Sequence, residues 1–166
     1  MTQDFFHQLP KDFHPASKVW IYQSTRLFTP QESHEIKIIL EKFTANWTSH
    51  GAKVKGFATV LLDHFILFMA DERATGVSGC STDSSVRIVK EIENIHGLEL
   101  FNRQLLAFYK GDKLELIPLS AISDSINQNK ISAETLYFNN TILTKKELET
   151  NWIIELKNSW LKNKMK

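Results

Sequence analysis

The side chains most able to do chemistry are concentrated between Gly76 and Glu91, in the run Gly-Val-Ser-Gly-Cys-Ser-Thr-Asp-Ser-Ser-Val-Arg-Ile-Val-Lys-Glu. Residues 76–85 hold two glycines, the chain's only cysteine, five hydroxyl side chains and an aspartate. Where such a loop runs into a helix, the first backbone N–H groups lack carbonyl partners and the helix dipole favours negative charge, so an anion would be held there. Glycines let backbone approach a ligand, and Ser78, Gly79, Ser81, Thr82, Asp83, Ser84 and Arg87 are the candidate ligand-binding residues. Cys80, at the same helix start, is the candidate nucleophile. A plainer reading runs beside these: Ser81 or Thr82 caps the helix, Asp83 suits its first turn, and Cys80 is a small buried residue.

Several known loops are excluded. A phosphate-binding P-loop requires Gly-x-x-x-x-Gly-Lys-Ser/Thr, and Gly76-Val-Ser-Gly79 has neither the spacing nor the lysine. A thiol phosphatase loop sets an arginine six residues after its cysteine, where this chain has Val86, with Arg87 one residue late. Ser78 does not stand in a Gly-x-Ser-x-Gly elbow. Two charged residues outside the loop are further ligand-binding candidates. Asp71 ends an apolar run just ahead of the loop, and Arg103 stands where it could meet Asp71, Asp83 or an anion. A base for Cys80 would come from His50, His64 or His96, each at a turn or helix end, and no two histidines have metal-ligand spacing.

These residues need elements to position them. Residues 1–17 read as an irregular arm that lays Phe5, Phe6 and Phe13 on the body, and residues 19–24 as a first strand. Thr29-Pro30-Gln31-Glu32 is a capping box with proline at the first helical position, and Ile36, Ile39, Leu40, Phe43 and Trp47 then form one stripe of a helix running to His50, with Gly51 as its end. Residues 54–62 and 65–70 read as strands joined at Asp63-His64, the second apolar throughout and therefore covered on both faces. A second helix is expected over 82–96, ended by Gly97, and a hairpin about Gly111-Asp112 joins strands 105–109 and 113–117. The tail adds a short helix, a short strand at 135–138, and a final helix from Thr144 with Leu148, Trp152, Leu156 and Trp160 on one stripe. This order predicts an α+β fold: a ferredoxin-like split βαββαβ antiparallel sheet with an extra C-terminal hairpin strand and helices. One domain is expected over 1–166, with 119–166 as a helical extension.

Composition narrows the partners. A 166-residue chain, 42% hydrophobic, can bury a core of its own. A net charge of +1 with lysines dispersed along the chain does not suggest nucleic acid. No apolar run is long enough to cross a bilayer, the N-terminal residues do not read as a signal peptide, and a lone cysteine closes no intramolecular disulfide, so a cytoplasmic protein is expected.

Lys18-Val-Trp-Ile-Tyr-Gln-Ser, Val77-Ser-Gly-Cys-Ser-Thr-Asp-Ser-Ser-Val-Arg87, Leu100-Phe-Asn-Arg-Gln104 and Thr135-Leu-Tyr-Phe-Asn-Asn140 resemble segments of an uncharacterised bacterial family often labelled "ABC transporter ATPase". The label implies ATP hydrolysis, but the Walker A lysine loop is missing, so ATPase activity is not expected. The expected function is binding of a small anionic or phosphorylated ligand at residues 76–85. An enzyme with Cys80 as nucleophile and a non-enzymatic interaction or dimerisation module are the alternatives. No metal site is expected, no particular cofactor is indicated, and a homodimer remains open.

Overall fold

The computed structural model describes residues 4–165. In chain order the elements are β1 (Lys18–Gln23), α1 (Pro30–Ala45), β2 (Thr48–Ser49), β3 (Ala52–Lys53), β4 (Lys55–Leu61), β5 (Phe65–Asp71), α2 (Gly79–His96), β6 (Leu105–Lys110), β7 (Lys113–Pro118), α3 (Ile122–Asn127), β8 (Leu136–Phe138), α4 (Lys145–Asn151) and β9 (Ile153–Glu155), with short 3₁₀ turns between and around them. The fold is α+β with antiparallel sheets. The chain forms two compact units, Met1–Phe101 with Leu143–Glu149, and Asn102–Ile142 with Thr150–Lys166. One short stretch of the tail, Leu143–Glu149, belongs to the first unit.

In the first unit β5 lies between β1 and β4 and is buried along its whole length, as its unbroken apolar sequence demands. Alternate residues of β5, Ile66 and Phe68, pack with Ile36 and Leu40 of α1 and with Val89 and Ile92 of α2, so both helices cover one sheet face. α1 begins as the sequence predicts. Thr29 accepts the Glu32 N–H, Glu32 accepts the Thr29 N–H, and Pro30 opens the helix. The helix stops earlier than its apolar spacing suggests, because Asn46 caps it through its side chain to the Lys42 carbonyl and its N–H to that of Phe43. His50 and Gly51 therefore do not end a helix. Both have positive φ, 51° and 80°, at the tip of the β2–β3 hairpin. The β4–β5 connection tightens at Leu62 and Asp63, one residue before the expected pair, and Ser33 fixes it by donating to the Asp63 carboxylate at 2.8 Å.

The N-terminal arm docks as expected from Phe5 and Phe13, both buried; residues 1–3 lie outside the described region. The start of α4 stitches this arm down. Lys145 donates through its ammonium to the Pro10 and Phe13 carbonyls at 2.9 and 3.0 Å, and through its N–H to Ser17.

In the second unit the sheet order is β7-β6-β8-β9, with Gly111 at positive φ in the hairpin foreseen between β6 and β7. Leu106, Phe108, Ile117, Ile122, Ile131, Tyr137, Leu156 and Leu161 form its core. Two expectations change here. The strand read as the sixth element of a split βαββαβ, Leu105–Lys110, pairs with β7 and β8, so the first sheet keeps three strands and the ferredoxin-like arrangement is not the one formed. The final helix ends at Asn151. Trp152 is fully buried with its indole N–H on the Asn140 side chain, and Ile153–Glu155 pairs with β8 as a strand.

Candidate functional site

The residues singled out in the sequence sit around the start of α2, but the helix begins earlier than expected. Ser78, not Ser81 or Thr82, is the N-cap: its Oγ accepts the Ser81 N–H at 3.2 Å, and Gly79 is the first helical residue. Residues 79–85 are thus the opening two turns of an 18-residue helix rather than a free loop.

This placement decides what the hydroxyls do. Ser78 and Ser81 share a 2.8 Å hydrogen bond, and Ser81 donates to the Thr48 carbonyl at 2.7 Å. Thr82 donates to the Ser78 carbonyl, Ser84 to that of Cys80 and Ser85 to that of Thr82, at 3.1, 2.9 and 2.6 Å. Ser81 and Ser85 are buried. All five hydroxyls therefore serve the helix and its packing, as short side chains near a helix start commonly do. What remains outward-facing is Gly79, Cys80, Asp83 and Arg87, all exposed. No described group accepts from the N–H of Gly79 or Cys80, and a side chain at Gly79 would meet nothing within 4 Å.

The segment that follows α1, whose spacing predicts a helix end, holds this start in place. Trp47, fully buried, donates its indole N–H to the Ser81 carbonyl at 3.0 Å, and Ser49 accepts the Ser78 N–H at 3.2 Å. The β2–β3 hairpin therefore abuts the N-cap, and its exposed tip residue His50 follows Ser49 directly. The missed signal was His50-Gly51 flanked by short Thr/Ser and Ala/Lys pairs, a turn pattern hidden by the helical spacing of Phe43 and Trp47.

Asp71 has another role. It is 2% exposed, and Arg73 grips it through Nε at 3.0 Å and Nη2 at 2.6 Å. The Arg73 guanidinium holds the Asp71 carboxyl well below the usual carboxylate range, outweighing burial, with help from the His14 and Arg73 N–H groups. Lys55 lies 3.7 Å away and bonds Asp12 at 2.9 Å. Asp71 thus ties the arm to the end of β5. Arg103 is exposed and belongs to the second unit.

Of the candidate bases, His50 is exposed, whereas His64 is 3% exposed with no hydrogen-bond partner on either ring nitrogen, and burial pushes its pKa down to about 4. His96 lies 3.7 Å from the Glu35 carboxylate. Among the described residues no three His, Cys, Asp or Glu side chains converge as a metal site, and no helix is long and apolar enough to cross a membrane. Comparison with known proteins finds no matching family model, no matching curated protein and no matching solved structure.

Proposed function

We propose that the exposed start of α2 binds a small anionic or phosphorylated ligand, through the backbone N–H groups of Gly79 and Cys80. The observation that carries this reading is their lack of any protein partner at the open end of a long helix with no carboxylate in its first turn. Two aligned donors and the positive end of the helix dipole supply the attraction, and Gly79 leaves the approach clear. The hydroxyls play no part in the contact; they hold the helix start rigid. ATP hydrolysis is not part of the proposal, and the family resemblance carries over no residue role.

Gly79→Pro gives a clean test. Proline suits the first helical position, and Ser78 at φ −78° and ψ 169° already has the backbone that a residue before proline prefers. Titrating the protein with phosphate and with sulfate should shift the Gly79 and Cys80 amide resonances saturably, less so at high salt. In the variant the affinity should drop while the fold is kept. Amide shifts confined to other parts of the chain would remove the proposal.

Cys80 as a nucleophile is the second reading, favoured by the exposure of its thiol beside those same amides. It requires faster alkylation by iodoacetamide near neutral pH than a free cysteine shows. An ordinary rate sinks it without touching the anion site.

A further inference from the structure

A concavity lies in the first unit at the C-terminal end of α1. A cavity of about 340 Å³ opens between the last turns of α1 and the β3–β4 segment, lined by Glu41 and Ala45 from the helix, by Lys53, Val54, Lys55 and Gly56 from the strands, and by Phe13. Glu41 and Ala45 are four residues apart and share one side of α1. Gly56 is also in the lining, and the place where its Cβ would be is taken by the Trp47 ring, 2.6 Å away.

The charges in this lining are unevenly engaged. Lys55 is held by Asp12 at 2.9 Å and lies 4.9 Å from the centre of the Phe13 ring. Glu41 and Lys53 are exposed and, among the described residues, neither side chain has an ion pair or hydrogen bond. One cleft therefore offers a free carboxylate and a free ammonium, with the largely buried Phe13 ring, 7% exposed, in its lining. A simple anion would meet Glu41 and a simple cation would meet two lysines, so the combination selects a small molecule carrying both charges.

We propose that this cleft binds a free α-amino acid as the zwitterion, its carboxylate facing Lys53 and its ammonium facing Glu41, with its side chain toward Phe13 and Ala45. The test is an amide chemical-shift titration of the full chain with glycine, L-alanine, L-leucine and L-phenylalanine, each beside its N-acetyl and its carboxamide derivative. Saturable shifts at Ala45, Lys53, Val54 and Gly56 are expected with at least one free amino acid. Its blocked derivatives should bind about fivefold more weakly or worse, since each loses one charge-assisted contact. Glu41→Gln and Lys53→Met should each weaken binding by a similar factor, while Gly79→Pro and Cys80→Ser leave it unchanged. Absence of saturable shifts at these four residues overturns the proposal, as does equal binding of either blocked derivative or indifference to Glu41→Gln.

Discussion

Two buried ionisable side chains contribute to the acid response of this protein in different pH windows, beside Glu32, which Arg26 holds down at about 2. His64 ordinarily titrates near 6.5 when unfolded, but burial lowers it to about 4 in the fold. The unfolded chain therefore takes up its proton first, so stability falls as pH drops from about 6.5 to about 4, by up to about 3 kcal/mol, and then levels off. Urea denaturation across this range should show that slope, and His64→Phe should flatten it. Asp71 behaves oppositely in origin though not in outcome. Its folded pKa is depressed, so its contribution is complete above the unfolded value of about 4 and is lost as pH falls further. Asp71→Asn should cost about 2 kcal/mol at neutral pH by breaking the contacts to Arg73 and His14, and should erase this lower component alone. A variant keeping the full acid transition below pH 4 would show that another carboxylate carries it.

Among the elements, the joint of α1, the β2–β3 hairpin and the start of α2 is the most constrained, because Trp47 fills it. Its ring lies against Phe43, Trp20 and Phe68, its N–H is taken by Ser81, and its Cε3 touches the place where a Cβ on Gly56 would go. Gly56→Ala forces an aromatic ring bounded on several sides to move, so a loss of about 1–3 kcal/mol is expected in thermal or urea unfolding. An unchanged midpoint would mean that the ring has room to retreat. Gly79→Pro should behave differently at the other end of the same joint. The site is open and the backbone already suitable, so stability should hold or rise by about 0.5 kcal/mol, as the unfolded chain loses freedom.

At the scale of the whole chain, the returning segment Leu143–Glu149 matters more than its length suggests. It supplies the Leu143 carbonyl to Val19, the Lys145 N–H to Ser17 and the Lys146 N–H to Pro15, besides the Lys145 ammonium that holds the Pro10 and Phe13 carbonyls. A fragment of residues 1–101 is therefore expected to leave the arm open to protease between residues 10 and 17. Adding residues 143–149 through a flexible linker should restore protection. Equal cleavage of both fragments would contradict this role for the segment.

The periodicity and punctuation of the sequence determined much of this molecule. Thr29-Pro30-Gln31-Glu32 set the start of α1, the unbroken apolar run set β5 as a strand buried on both faces, and Gly97 and Gly111 set a helix end and a hairpin, because caps, burial and positive φ are local demands. Local signals misled where a residue's role depended on a distant partner. Trp47 and Trp152 stand at helical spacing from their neighbours, yet each leaves the helix to reach a hydrogen-bond acceptor brought near only by folding. The pairing of Leu105–Lys110 with Leu136–Phe138, which places it in the second sheet rather than the first, was invisible, since sheet membership is settled by long-range packing. The same holds for the candidate site. Composition marked residues 76–85 and the polarity of the helix start, but only the tertiary structure turned the hydroxyls inward onto carbonyls and left two amides and a thiol facing outward.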